Sequence, residues 1–292
     1  MSDVSVLREV APSARVAPDA RIGPFCVVGP GVTIGPGTVL VRRVSVTGDT
    51  SIGSDNVFEE GCVLGTAPQD LKYAGRPTRL LIGHRNHFGR GVTVHVGTEA
   101  GGYLTSIGND NVLGAGCHVA HDCYVDDHTH LEDNVMLAGH VRVQTGAVLG
   151  AMCGVHHFVT IGRYARVGPR TPVRRDVPPY TDFAADGPSS PPAVRGIHED
   201  GIARAALAGD EEKDLRRAMR ELFEDEFAVQ TKIEQLFSMG VEGEVADLCT
   251  FCRQSLQGVY GRHRELFRGG LPPEVHEYLS SEEIAKIQRS FP

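Results

Sequence analysis

The chain has 292 residues, 13 histidines, 7 cysteines and a formal net charge of -8. Its length supports one large or two modest domains with ample core and excludes a small stapled scaffold. The acidic balance argues against a broad nucleic-acid-binding face. Met1 to Val10 has no apolar leader and no run reaches eighteen apolar residues, which predicts a cytoplasmic protein without stable membrane insertion.

From Val10 a branched or aromatic apolar residue falls on every sixth position through Val16, Ile22, Val28, Ile34, Leu40, Val46, Ile52, Phe58 and Leu64. The phase returns at Ile82, Phe88 and Val94. Shifted by one residue, it then runs from Ile107 to Val173. A hexapeptide period predicts a parallel β-helix, with three hexads making a triangular coil of eighteen residues and successive coils about 4.8 Å apart. Gly23, Gly35, Gly53, Asn56, Gly108 and Asn111 follow the apolar positions and predict corners with positive φ. Two excursions, 65–80 and 97–106, interrupt the repeat. Leu64 and Ile82 are eighteen residues apart, so the first is expected to replace hexads in phase; the second shifts the phase and is expected to bulge outward. Loops projecting from a rigid solenoid commonly carry binding chemistry.

Cys26, Cys62, Cys117, Cys123 and Cys153 each sit four residues after an apolar position, where small side chains recur, and this predicts packing rather than disulfides. The repeat predicts a β-helix over residues 1–181. A Pro-, Ala- and Ser-rich linker is predicted over 182–194 and an α-helical domain over 195–292. Asp210 is read as the cap of a helix carrying Leu215, Met219, Leu222, Phe223 and Phe227, with further helices across Val245 to Val259 and near Ser281 to Ser290. Cys249 and Cys252 form a single C-x-x-C within that patterning, open to a zinc or redox role or to helix packing.

Histidine concentrates where the repeat is most regular, at His118, His121, His128, His130, His140, His156 and His157. Stacking by eighteen puts His121, Gly139 and His157 in one column and Asp122, His140 and Phe158 in the next. Imidazole titrates near neutrality and a neighbouring carboxylate can orient it, so the cluster suits general-base work. Three histidines could also ligate zinc, although His118 and His121 lack the spacing of the zinc-binding β-helix enzymes. His128 and His130 are read as solvated surface residues.

The segments PQDLKYAGRPT (68–78), HVAHDC (118–123), LAGHV (137–141), GVHHF (154–158) and DVPPY (176–180), followed by a helical tail, resemble the acyl-carrier-protein-dependent UDP-N-acetylglucosamine O-acyltransferase family of lipid A biosynthesis. The resemblance spans residues 10 to about 205. It implies a left-handed parallel β-helix with a helical tail, assembled as a homotrimer with sites between subunits. The implied activity moves an acyl chain from acyl carrier protein to the 3-hydroxyl of UDP-N-acetylglucosamine. No cofactor is implied beyond the phosphopantetheine that carries the donor, and no metal. Residue by residue, His121 would be the general base, Asp122 its orienting partner and Gly139 the backbone donor to the oxyanion. Gln69, Asp70 and Lys72 on the first excursion, His118, His140, His156 and His157 on the coils, and His198, Asp200 and Arg204 in the tail would bind substrate. Ala151, Met152 and Pro169 fall where the family measures acyl length.

The chain departs from the family pattern at His157 (usually glutamine), His198 (asparagine), Val96 (arginine) and Ala205 (arginine). These changes leave open an amine acceptor on a UDP-3-amino sugar, and also a catalytically silent paralogue that binds sugar nucleotide or carrier protein.

Overall fold

The structure is a computed structural model that describes residues 7–187, 190–223 and 229–258. Most strands are only two residues long, one residue facing out and the repeat's apolar residue facing in, as in His118–Val119 and Met136–Leu137. Among the described residues they stack in parallel into three sheets that form the sides of a triangular prism. Regular coils advance by eighteen residues: His118 pairs with Met136, and Met136 with Gly154. The inward residues Leu40, Leu64, Leu113, Leu131, Leu137 and Leu149 are all fully buried. Each such side chain contributes roughly 1.5–3 kcal/mol, but only because the coils above and below complete its surroundings.

The excursions lengthen two coils rather than replacing hexads. Val63 pairs with Thr93 thirty residues on, and Thr93 with His118 twenty-five residues on. The first thus inserts twelve residues, two hexads' worth, which preserves phase although Leu64 and Ile82 lie on different sheets; the second inserts seven. Nor does the second bulge outward. Thr98, Gly101 and Gly102 are buried, so this loop folds back over the prism.

The corners also differ from expectation. In the regular coils positive φ falls three residues after the apolar residue, at Asp110, Asp122, His128, Asn134, His140 and Phe158 among others, and not at Gly23, Gly35, Gly53 or Gly108. Those glycines answer close packing instead, since a Cβ on Gly23 would stand 1.8 Å from the Val41 carbonyl oxygen. Asn56, Asn86 and Asn111 form a buried ladder. The amide oxygens of Asn56 and Asn86 accept backbone N–H groups of the next coil, and that of Asn111 accepts both N–H and hydroxyl of Thr129. All seven cysteines are unpaired and buried.

The predicted linker at 182–194 begins and ends in strand. Thr181–Ala184 adds in parallel to Arg166–Val167 on the third sheet, and Ala193–Ile197 pairs antiparallel with it. Pro and Ser fall in sequence between these two strands. Among the described residues four helices follow, α1 (Glu199–Ala205), α2 (Gly209–Phe223), α3 (Val229–Ser238) and α4 (Gly243–Leu256). Asp210 lies inside α2 rather than capping it. The expected helix near Ser281 to Ser290 and the residues Phe227 and Val259 lie outside the described residues. The coil grips the helices through Tyr180, fully buried in the helical core, whose hydroxyl donates to Glu244 Oε2 at 2.7 Å. Arg163 pairs with Glu244 and Asp247. Cys249 and Cys252 face the helical core of α4, and burial pushes their thiols up to about 11 and about 12, so they are packed neutral groups rather than thiolates.

Candidate active site

The edge between the first and second sheets carries, coil after coil, the first excursion, the second excursion, and the turns at 120–123, 138–141 and 156–159. The interruptions of the repeat and its histidine-rich turns therefore line up along one edge. Asp122, His140 and Phe158 occupy its left-handed positions, with φ of 59°, 65° and 66°. This conformation projects their side chains beside the turn, and short polar Asp tolerates it better than most residues.

His121 Nδ1 and Asp122 Oδ2 are 2.7 Å apart, with Asp122 fully buried. The ring nitrogen donates to the carboxylate, which leaves Nε2 as the basic atom. The second excursion completes the hold on Asp122. The Thr98 N–H donates to Oδ1 at 2.8 Å, the Thr98 hydroxyl donates to Oδ2 at 2.6 Å, and the Asp122 N–H donates to Thr105 Oγ1 at 2.8 Å. His140 Nδ1 lies 3.7 Å from the same Oδ2, and its ring meets His121 edge-on and stacks on Phe158 with centroids 4.4 Å apart.

The imidazole of His121 packs closely against Gly139: a Cβ there would fall 2.5 Å from His121 Cε1 and 2.7 Å from Nε2. At equivalent positions of other corners the backbone N–H is capped by a side chain of the neighbouring coil, Asn109 by Asp127 and Ala115 by Asp133. Above Gly139 stands His157, and the Gly139 N–H donates to no acceptor among the described residues. A base, its oriented carboxylate and an open main-chain donor thus meet within one turn of each of two coils. His121, Asp122 and His140 also place ligand atoms within 4.8 Å of one another, close enough to share a metal ion. Both Asp122 oxygens already accept from Thr98 or His121, so the proton-transfer arrangement describes this geometry better than a ligand set.

Beside the pair, His118 is half-buried with Nδ1 2.8 Å from Thr93 Oγ1 and its ring edge-on to His95 at 5.2 Å. Burial first, then the neighbouring His95 and His121, hold its pKa below the ordinary imidazole value. His156 and His157 are exposed with ring centroids 4.2 Å apart. Gln69, Asp70 and Lys72 stand on the outer loop of the first excursion, where Asp70 Oδ1 accepts the Lys72 N–H at 2.9 Å.

The tail residues lie elsewhere. His198 is buried with Nδ1 2.8 Å from the Tyr164 carbonyl, and Arg204 donates to the carbonyls of Gly146 and His128 at 3.0 and 2.9 Å. Those carbonyls belong to the edge between the second and third sheets, so within one chain neither residue joins the histidine cluster, while Asp200 is exposed on α1. Ala151, Met152 and Pro169 sit on the third edge. Val96 is buried in the coil core and Ala205 packs against the helical core.

Two family models match the chain: bacterial transferase hexapeptide (six repeats) over residues 104–139 and UDP-N-acetylglucosamine O-acyltransferase, domain 2, over 176–260. An acyl-[acyl-carrier-protein]–UDP-N-acetylglucosamine O-acyltransferase of Gloeothece citriformis (strain PCC 7424) is 36% identical over 229 residues, covering 78% of this chain and 79% of the relative. The chain belongs to this O-acyltransferase family. The solved LpxA of Acinetobacter baumannii is 34% identical with a TM-score of 0.79, covering 86% of this chain and 95% of that one. The UDP-N-acetylglucosamine O-acyltransferase (LpxA) of Moraxella catarrhalis is 33% identical with a TM-score of 0.80, covering 86% and 96%. This O-acyltransferase family member is accordingly an enzyme, with a left-handed parallel β-helix and a helical tail. No helix among its described residues is long and apolar enough to cross a membrane.

Counting by eighteen does not place Thr98 beside Asp122, because the seven inserted residues of the second excursion break the count between them; Thr105 lies in an unbroken coil but seventeen residues from Asp122, one position off the stacking interval. The sequence signal for Thr98 is its place in a glycine-rich interruption of the repeat.

Proposed function

We propose that this enzyme transfers an acyl chain from the thioester of acyl carrier protein to the 3-hydroxyl of UDP-N-acetylglucosamine, the first step of lipid A biosynthesis, with His121 as general base. The observation that carries this reading is the hydrogen-bonded His121–Asp122 pair lying against the open N–H of Gly139. His121 Nε2 removes the hydroxyl proton as the sugar oxygen attacks the thioester carbonyl carbon. The imidazolium that forms is stabilised by the buried Asp122 carboxylate. Negative charge gathers on the former carbonyl oxygen, where the Gly139 N–H donates; such a donor contributes about 3 kcal/mol in other acyl-transfer enzymes. Collapse of the tetrahedral species breaks the C–S bond, and the departing phosphopantetheine sulfur takes the proton from His121.

His118, His140, His156 and His157 surround the reacting atoms, while Gln69, Asp70 and Lys72 hold the sugar nucleotide from the outer loop. Arg204, His198 and Asp200 occupy a different edge of the prism, so a site that uses both edges requires neighbouring copies, and a homotrimer supplies them. Arg204 suits a pyrophosphate because its charge is permanent and its donors are forked.

The test incubates the protein with UDP-N-acetylglucosamine, or with a UDP-3-amino sugar, and acyl carrier proteins bearing chains of different length. Wild type is expected to acylate the hydroxyl acceptor, and His121→Ala to lose about 10²–10⁴-fold in rate while still binding the nucleotide. Transfer only to the amino sugar would reassign the acceptor. Nucleotide binding without transfer to either acceptor would make the chain a silent paralogue.

A further inference from the structure

The second excursion sends two consecutive side chains to two different tasks. Thr98 faces inward, where its N–H and hydroxyl hold both oxygens of Asp122, and its hydroxyl shares Oδ2 with His121 Nδ1. The Gly101 N–H donates to Thr98 Oγ1 at 2.9 Å, which fixes the hydroxyl rotor so that its proton goes to the carboxylate. The loop backbone passes so close that a Cβ on Gly101 would collide with the Asp122 carboxylate at 1.7–1.8 Å. Glu99 faces the other way. Its Oε1 accepts the N–H of Ala74 at 3.2 Å and of Arg76 at 2.9 Å, both on the first excursion. The ends of that excursion are held to the prism, where His95 Nδ1 lies 2.7 Å from the Ala67 carbonyl and Arg79 bonds Asp49, while its middle is tied to itself, through Asp70 to Lys72 and Tyr73, and through the Tyr73 hydroxyl to the Arg76 carbonyl.

We propose that Thr98 and Glu99 are paired positioning residues: Thr98 sets the carboxylate that orients the base, and Glu99 sets the outer loop that carries the acceptor-binding side chains. The proposal rests on the reading of His121 and Asp122 as the proton-transfer pair. A carboxylate with two donors to one oxygen and one to the other cannot rotate about its Cβ–Cγ bond without losing hydrogen bonds in a dry site, and this keeps His121 aimed. The outer loop has no sheet partner between Thr66 and Arg79, so two charge-assisted bonds to Glu99 are what connect its middle to the body of the prism.

The two roles separate kinetically. Thr98→Val keeps the shape and removes the hydroxyl; kcat is expected to fall about tenfold or more with KM for UDP-N-acetylglucosamine within about twofold of wild type. Thr98→Ser restores the hydroxyl and is expected to recover most of that loss. Glu99→Ala is expected to raise KM for the sugar nucleotide about fivefold with little change in kcat, whereas Glu99→Gln, which keeps an acceptor oxygen, stays near wild type. Thr98 acts through the dyad, so Thr98→Val added to His121→Ala is expected to slow the residual rate no further. Melting curves confirm that slow variants are folded, and Thr98→Ala, judged by the same kinetic criteria, replaces the valine variant if that one does not melt cooperatively. The proposal is overturned if Thr98→Val keeps wild-type kcat, if Thr98→Ser is as slow as Thr98→Val, if the double variant loses the full Thr98 factor again, or if Glu99→Ala leaves KM unchanged. A His121→Ala enzyme with wild-type turnover would instead overturn the proton-transfer assignment itself.

Discussion

At the scale of single residues, the site depends on which hydrogen-bonding groups are satisfied. Asp122 accepts from its sequence neighbour His121 and twice from Thr98, which its sequence position does not announce, while the Gly139 N–H lacks the side-chain cap found at equivalent corners. His118 shows the same logic in its charge. Burial, with His95 and His121 nearby, holds its pKa below the ordinary 6.5, so the folded protein takes up that proton later than the unfolded chain does. Between the depressed folded value and 6.5 the unfolded state binds more protons, so stability falls as pH drops through that window and the contribution is complete only above it. Denaturant unfolding of wild type and His118→Gln at neutral and mildly acidic pH is expected to show a smaller acid-side loss in the variant. An equal loss in both would leave His118 without a part in the pH dependence.

At the scale of elements, the tail is attached to the prism by a few directed contacts. His198, just ahead of α1, bonds the Tyr164 carbonyl from a buried position, and Arg204 at the end of α1 bonds two corner carbonyls. Removing a buried partner strands its mate, so His198→Ala is expected to destabilise the protein by about 1–3 kcal/mol in denaturant unfolding. If His198 also contacts nucleotide across a subunit boundary, KM rises in addition; a variant with altered KM and unchanged stability would mean that the Tyr164 bond contributes nothing to docking the tail.

At the scale of the whole molecule, the candidate residues are divided between edges of a triangular prism. His121, Asp122, Gly139 and both excursions lie on one edge, Arg204 and His198 on a second, and Met152 and Pro169 on the third. One copy cannot fold two edges of its own rigid prism together, so the proposed site that draws on both needs an assembly that places different edges of neighbouring copies side by side. Light scattering or sedimentation is expected to give three times the 31.4 kDa chain mass under conditions of activity. A monomer with full activity would show that Arg204 and His198 serve docking alone.

The hexad period by itself determined the coil, the inward residues, the packing role of the five coil cysteines and the meeting of His121 with Gly139, because a strictly periodic solenoid converts sequence distance into spatial distance. Where the count is broken, that conversion fails. Only the folded excursions bring Thr98 onto Asp122 and Glu99 onto the outer loop, and the glycine-marked corners are sites of close packing two residues before the left-handed positions. The stretch at 182–194 read as a linker from its Pro and Ser, yet its ends pair as strands, since an open edge of the third sheet was available to satisfy their backbone groups. Local pattern sets the repeat because each hexad makes the same contacts as the last; non-local hydrogen bonds decide everything that interrupts it, and those exist only once the chain has folded.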